Sequence, residues 1–162
     1  MTKLHRRTMI GVLLVWLLAV IYLMFGGRLS YSYGGDYGQY LLHHIELVPF
    51  ESTQNYLDML RLDRINPDIV ARNIAGNIVM FVPLGFLLPC IADRFAKLKF
   101  TFSGAVLLAF VLEALQLLTL RGSFDIDDII LRSVGAMLGF AVWHIIFRFL
   151  RAPIPQTQSS QA

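Results

Sequence analysis

Ionisable and amide side chains stand inside strongly apolar segments of this 162-residue chain. Glu113 and Gln116 are three residues apart, so a helix would place them on one face. Asn73 and Asn77 are four apart and would likewise share a face. If these segments lie in lipid, an ionised carboxylate there costs ~2.5–3.5 kcal/mol and must be paired, protonated or hydrated. Side chains of this kind are by default candidates for a functional site.

A second polar group follows, where a short polar segment leads into another apolar stretch. Asp128 and Arg132 are four residues apart, which predicts an ion pair along a helix. Asp125 is placed to cap the start of that helix, because an aspartate accepts hydrogen bonds from the free amides there. In a structural interpretation, Glu113 pairs with Arg132 or Arg121. In a functional one, either arginine meets a phosphate through its bidentate fork.

Three predicted helices place these costly residues at a similar depth, near one face of the membrane. The candidate ligand-binding residues are Asn73, Asn77, Glu113, Gln116, Arg121, Asp125, Asp128 and Arg132. Such a set could hold a polar headgroup or a proton-transfer pair, with Glu113 as the candidate catalytic acid or base. We expect no bound metal, because the acidic run lacks the ligand spacing of a calcium loop. We expect no cofactor, because no nucleophile–base motif, phosphate loop or nucleotide fingerprint is present.

The elements that carry these residues are long apolar stretches. The chain is 56% hydrophobic and only 15% charged, against about 45–50% and about 25% in soluble domains. This composition excludes a disordered chain and argues against a soluble globular domain. A membrane-spanning helix needs about 20 mostly apolar residues. Four stretches meet that requirement, at about 9–25, 74–92, 100–120 and 129–149.

Basic residues predict the orientation of these spans, since Lys and Arg are enriched in cytoplasmic loops. They cluster before the first span, between the second and third, and after the fourth: Lys3, Arg6, Arg7, Arg94, Lys97, Lys99, Arg148 and Arg151. In a four-span chain these segments share one side, so both termini are predicted to be cytoplasmic. The net charge of +3 then reflects topology, and we expect no nucleic-acid partner. The basic start also fits a cleaved signal peptide, but no small-residue cleavage site follows, and we favour an uncleaved anchor.

A long outer loop, 26–73, joins the first two spans. It contains four closely spaced tyrosines: Tyr31, Tyr33, Tyr37 and Tyr40. Tyrosine prefers the headgroup region, so this part of the loop is predicted to lie on the membrane surface. Residues 53–62 predict one short helix within the loop.

The predicted architecture is all-α: a polytopic membrane protein with a four-transmembrane-helix bundle and a long outer loop between helices 1 and 2. Residues 1–8 form a cytoplasmic N-terminus, 9–149 a single membrane domain, and 150–162 a disordered cytoplasmic tail. Within the last span, Gly135 and Gly139 predict a face for close contact with another helix.

Several short motifs occur in a fixed order between residues 47 and 139. They are Leu47-Val48-Pro49-Phe50, Asn73-Ile74-Ala75-Gly76-Asn77, Phe81-Val82-Pro83-Leu84-Gly85, Glu113-Ala114-Leu115-Gln116, Arg121, Asp125-Ile126-Asp127-Asp128, Gly135 and Gly139. In order and spacing they resemble the VanZ-like family of small bacterial integral membrane proteins. One departure is visible, since an asparagine usually stands where this chain has Arg132.

The resemblance implies a multi-pass protein of the bacterial plasma membrane, and the founding member of the family is linked to resistance to the glycopeptide teicoplanin. Three functions stay open on the residues alone. The chain binds or modulates a lipid or cell-wall component at the outer leaflet, acts as an enzyme on a lipid headgroup, or serves as a structural or accessory subunit. We rank binding first, because no complete reaction constellation is visible. Membrane lipids and a lipid or cell-wall precursor are the expected partners, and the sequence does not determine an oligomeric state.

Overall fold

The computed structural model describes residues 3–26 and 36–150. Their elements are α1 (Lys3–Ile21, continued by a π-helical turn, Tyr22–Gly26), α2 (Tyr37–His43), β1 (Ile45–Glu46), α3 (Glu51–Arg61), α4 (Pro67–Ile91), a 3-10 turn (Asp93–Ala96), α5 (Leu98–Leu118), β2 (Phe124–Asp125) and α6 (Ile126–Leu150). The tail was predicted to be disordered from residue 150 to 162. Residue 150 is the last of α6. The rest of the tail, 151–162, lies outside the described residues, as do Tyr31 and Tyr33 of the tyrosine-rich loop.

Four of these helices, α1, α4, α5 and α6, are long and apolar enough to cross a membrane, as predicted. Their ends differ from the expected ones, and α4 begins at Pro67, seven residues before the expected start at 74. The Asn66 side chain accepts a hydrogen bond from the Asp68 N–H at 2.9 Å, and Pro67 occupies the first helical turn. Local capping therefore sets where the helix starts, whereas hydropathy indicates only which part of it can lie in lipid.

Close contact between α4 and α6 forms the centre of the bundle, and glycines allow it. A Cβ atom on Gly135 would lie 2.0 Å from the Ile78 carbonyl oxygen, and one on Gly139 would lie 1.9 Å from that of Val82. A Cβ atom on Gly85 of α4 would likewise lie 1.8 Å from the Ala136 carbonyl oxygen of α6. The prediction of a close-contact face on the last span is confirmed, and Gly85 extends that face to the partner helix.

Helix α1 packs on α4 through one aromatic residue in the middle of the span. The Trp16 indole N–H donates to the Met80 carbonyl at 3.0 Å, and the Trp16 ring meets that of Phe81 edge-on, with centroids 5.8 Å apart. Pro83 lies one turn further on and has no N–H, so it weakens the main-chain ladder of α4 in this region. The N–H that Pro83 lacks would serve the Val79 carbonyl, so the Trp16 bond to the neighbouring Met80 carbonyl is an added contact between α1 and α4 and does not replace it.

The segment expected to be a long loop is largely ordered in the described residues. We use the name "cap" for α2, β1, α3 and the connection 119–125 between α5 and α6. Strands β1 and β2 pair in parallel, with Ile45 opposite Phe124 and Glu46 opposite Asp125. This pairing joins the first connection of the chain to the last and brings two carboxylates to one edge of the cap.

Tyr40 does not lie on the membrane surface, and for this residue the prediction is wrong. It is 1% exposed, its hydroxyl donates to the Gly122 carbonyl at 3.0 Å, and its ring stacks on His44. Tyr37 is more exposed, and its hydroxyl donates to the Leu118 carbonyl at 3.0 Å. The last carbonyls of a helix have no partner within it, so the Tyr37 phenol satisfies the end of α5. The Tyr40 phenol holds α2 to the connection that follows α5.

Candidate functional site

Four of the predicted site residues meet between α4, α5 and α6: Asn77, Glu113, Asp128 and Arg132. We call them the buried network. Arg132 is 2% exposed and Glu113 is 1% exposed. The Arg132 Nη1 atom lies 2.6 Å from Glu113 Oε1, its Nη2 lies 3.3 Å from Asp128 Oδ2, and its Nε donates to Asn77 Oδ1 at 3.0 Å. Glu113 therefore pairs with Arg132, which is one of the two pairings that the sequence left open.

The remaining polar atoms of the network also have partners. The Asn77 amide nitrogen donates to Asp128 Oδ1 at 2.7 Å and to the Asn73 carbonyl, one turn back in α4, at 2.8 Å. The second oxygen of Glu113 accepts from the Asp125 N–H at 3.0 Å. Glu113 Oε1 and Arg132 Nη1 meet as an ion pair without the alignment of a hydrogen bond, so charge attraction joins α5 to α6 at this point. Both oxygens of Glu113 are engaged, which favours a structural role for this residue over that of a general acid or base.

Gln116, in the last turn of α5, and Arg121, in the connection that follows this helix, donate hydrogen bonds to the end of α1 instead. The Gln116 amide nitrogen donates to the Met24 carbonyl at 3.4 Å, and the Arg121 guanidinium donates to the Phe25 carbonyl. Both carbonyls belong to the π-helical turn that ends α1, where main-chain acceptors lack partners within the helix. These two residues hold the first span against the third. Arg121 and Arg132, the two arginines of the candidate set, therefore both donate to groups of the protein itself.

Asp127 has a role that the sequence did not predict. Its carboxylate accepts from the main-chain N–H groups of Phe50 and Thr53, at 2.5 and 2.9 Å. Phe50 is the N-cap position of α3, has a φ of 68°, and offers no side-chain acceptor of its own. Asp127 thus caps α3 from a different helix. The sequence did contain a signal for this second role: Asp125, Asp127 and Asp128 are three aspartates within four residues, and capping the start of α6 requires only one of them.

Asp125 caps α6 as predicted, since its Oδ1 accepts from the Asp127 N–H at 2.8 Å. Burial raises the pKa of Asp125 to about 6. That value already includes a smaller increase from the carboxylates of Asp128 and Glu46 and a decrease from the Asp127 N–H and the Ser52 hydroxyl, which favour the ionised form. Asp125 therefore titrates closer to neutral pH than an ordinary aspartate.

A cavity of about 220 Å³ opens in the cap between α3 and the α5–α6 connection. It is lined by Glu46, Ser52, Asn55, Tyr56, Met59, Ser123 and Asp125. Within it, the Ser52 hydroxyl donates to Glu46 Oε2. Of the predicted site residues, Asp125 alone is among those that line this cavity. Its main-chain N–H is the direct link between the cavity and the buried network.

The predicted site is therefore divided among three places. Four of its residues form the buried network, Gln116 and Arg121 contact the end of α1, and Asp125 lines the cavity. Asn73 contributes its carbonyl to the network, while its side chain donates to the Ile69 carbonyl at 2.9 Å in its own helix. The other six residues that line the cavity were not predicted. Four of them share one face of α3 at helical spacing: Ser52, Asn55, Tyr56 and Met59. That spacing was the available signal, but which residues this face meets depends on the packing of the cap, in which β1 pairs with β2.

The fold and these sites define a class: a multi-pass helical membrane protein with a buried charged network beneath a polar cap. The VanZ/LLP1 family matches residues 10–148, and this chain belongs to that family. A similar relative is Protein VanZ of Enterococcus faecium, which is 26% identical over 135 residues, covering 82% of this chain and 71% of the relative. No solved structure matches. The resemblance inferred from the motifs is confirmed.

Proposed function

We propose that this VanZ-like protein binds a lipid or cell-wall component at the outer leaflet of the bacterial plasma membrane, through the cavity in its cap. The Lys and Arg distribution supports cytoplasmic termini, and the cap then lies on the outer side. The proposal depends on one observation: an open, polar cavity is lined by Asp125, whose main-chain N–H donates to Glu113 of the buried network. The network acts as a rigid base for the cavity, and the ligand contacts are made in the cap.

The positions of the two arginines support this location. Arg132 is buried, and each of its three guanidinium nitrogens has a partner within the buried network. Arg121 donates to the Phe25 carbonyl at the end of α1. Because both arginines are engaged with groups of the protein, the cavity is a better candidate than either arginine for binding the ligand.

Ligand retention during purification tests the proposal. Asn55→Trp places a large side chain in the cavity lining, and Gln54→Trp places the same side chain on the neighbouring exposed position of α3. Both variants and the parent chain are purified in mild detergent, and bound species are measured by native mass spectrometry. We expect one specific lipid or wall precursor to remain with the parent and with Gln54→Trp, and to be lost from Asn55→Trp. Equal retention in both variants, or none in the parent, would contradict the proposal.

A link to glycopeptide resistance is the finer part of the proposal. It is supported by family membership and by the similarity to Protein VanZ. Expression in a susceptible bacterial host should raise the teicoplanin concentration that inhibits growth, and Asn55→Trp should abolish the rise while Gln54→Trp keeps it. An unchanged inhibitory concentration in a host whose membranes contain the protein would show that this chain has another role in the envelope.

A further inference from the structure

The cavity brings two carboxylates together by main-chain geometry. Strand pairing places Glu46 opposite Asp125, and both side chains line the cavity. The hydroxyls of Ser52, Tyr56 and Ser123 share that lining, and none of its seven described residues is basic. Carboxylate oxygens only accept hydrogen bonds when ionised, and hydroxyls can accept as well as donate. The lining is therefore rich in acceptors and suited to a ligand that donates.

The surroundings also favour a positive ligand. Arg132, the cation of the buried network, is already paired with Glu113 and Asp128. Burial is the main cause of the raised pKa of Asp125, and the carboxylates of Asp128 and Glu46 add to it in the same direction. A phosphate entering the cavity would meet Glu46 and Asp125 at short range and be repelled, whereas a cation would be attracted.

An ammonium group fits better than a metal ion. The described residues contain no cluster of three or more His, Cys, Asp or Glu side chains that could hold a metal. A primary ammonium carries three N–H donors, and two carboxylates with the hydroxyl groups of the lining can accept all three. Charge-assisted bonds of this kind are about twice as strong as neutral ones.

The size of the cavity and its neighbourhood indicate that the ammonium belongs to a lipid. About 220 Å³ is smaller than the ~300–1,000 Å³ of pockets that enclose drug-sized ligands, so a headgroup fits and a whole lipid does not. The four residues that follow Glu46 form an apolar loop, in which Leu47, Val48 and Phe50 are 54–60% exposed. Asp127 holds the end of this loop through the Phe50 N–H. An apolar segment beside the headgroup cavity provides a surface for the acyl chains.

We propose that the cavity binds the protonated primary amine of a lipid headgroup between Glu46 and Asp125, with the acyl chains lying along the apolar loop 47–50. This inference rests on the proposed function, because it names the chemical class of the ligand for the same cavity. It also separates the roles of the candidate residues, since the buried network shapes the cavity floor without contacting the amine.

Binding of lipids that differ only in the headgroup tests the inference. The full chain in mild detergent is titrated with short-chain phosphatidylethanolamine, phosphatidylcholine and phosphatidylglycerol, and with free ethanolamine. We expect phosphatidylethanolamine to bind at least about tenfold more tightly than the trimethylated or the anionic lipid. Free ethanolamine should compete more weakly than the amine lipid, because it lacks the chains that meet the loop. Competition as strong as that of the lipid would identify a soluble amine as the ligand and overturn the lipid part of the inference.

Three acidic variants locate the contact. Glu46→Gln and Asp125→Asn each remove one charge and keep the side-chain size, and each should weaken phosphatidylethanolamine binding about tenfold. Asp58→Asn removes an exposed charge of α3 that does not line the cavity, and should leave binding unchanged. Melting curves of each variant show whether the fold persists. Should either cavity variant fail to fold, Glu46→Lys provides the second measurement, since it should reverse the preference in favour of phosphatidylglycerol.

The two proposals fail in different ways. If a lipid is lost on Asn55→Trp but amine and anionic headgroups bind equally, the cavity binds lipid and the ammonium inference is wrong. If neither headgroup binds and nothing is retained during purification, the proposed function is wrong as well.

Discussion

Replacing Arg132 with methionine tests whether the buried network depends on its cation. Methionine keeps an unbranched apolar side chain and removes the guanidinium. Glu113 then loses its partner at 2.6 Å and Asp128 loses its partner at 3.3 Å. Glu113 is 1% exposed, so its carboxylate lies out of contact with bulk solvent. Removing one partner from a buried pair leaves an uncompensated charge, and we expect the free energy of unfolding to fall by ~3–5 kcal/mol.

The reverse change should cost less. In Glu113→Gln, Arg132 keeps Asp128 as a counter-ion, and the new amide oxygen can still accept from the Asp125 N–H. A loss of ~1–3 kcal/mol is expected for the weakened hydrogen bonding. The double variant should be less destabilised than the sum of the two single changes, because the remaining carboxylate of Asp128 is 28% exposed and partly solvated.

Reversible unfolding in SDS–lipid micelles, followed by tryptophan fluorescence, measures these differences. Arg61→Met is the matched control, since its ion pair with Asp58 is 77% and 65% exposed, and it should change the free energy of unfolding by no more than ~1 kcal/mol. The reasoning is refuted if Arg132→Met is no less stable than Glu113→Gln, because the arginine would then not be the group that neutralises the network.

Three further predictions concern packing, titration and capping. Gly139→Ala should lower the free energy of unfolding by ~1–3 kcal/mol, since its Cβ would meet a main-chain oxygen at 1.9 Å. A Cβ atom on Gly76 would have no neighbour within 4 Å, so the control Gly76→Ala should stabilise the protein by up to ~1 kcal/mol. Equal melting temperatures of the two variants would contradict the close contact at Gly139. Asp125 has a folded pKa of about 6, above the ~3.9 of an unfolded aspartate, so its contribution to stability is complete below pH ~3.9 and is lost as the pH rises through 6. Denaturant titrations of the parent and Asp125→Asn should therefore diverge across that window, and parallel curves would argue against the raised pKa. Asp127→Asn leaves one oxygen for two main-chain donors, so the free energy of unfolding should fall by ~1–3 kcal/mol. Hydrogen exchange in α3 should accelerate in that variant but not in Asp58→Asn, and unchanged exchange would show that α3 does not depend on this cap.

The features that sequence predicted correctly are those that depend on local structure. Hydrophobic length is a property of one segment, so four spanning helices follow from composition alone. The pair of Asp128 with Arg132 and the cap at Asp125 depend only on the geometry of a single helix and its first turn. Two glycines at helical spacing also predicted a contact face, although not which helix would meet it.

Contacts between distant segments could not be read from spacing. Whether Glu113 pairs with Arg132 or Arg121 depends on how α5 and α6 are rotated and how deeply each lies, and the close approach of α4 to α6 sets that rotation. The cap of α3 by Asp127 and the meeting of Glu46 with Asp125 likewise join residues about 75 or more positions apart. Periodicity identifies which side of a helix is polar, but the partner of each polar group follows only from the packed arrangement, in which every buried donor and acceptor must be satisfied at once.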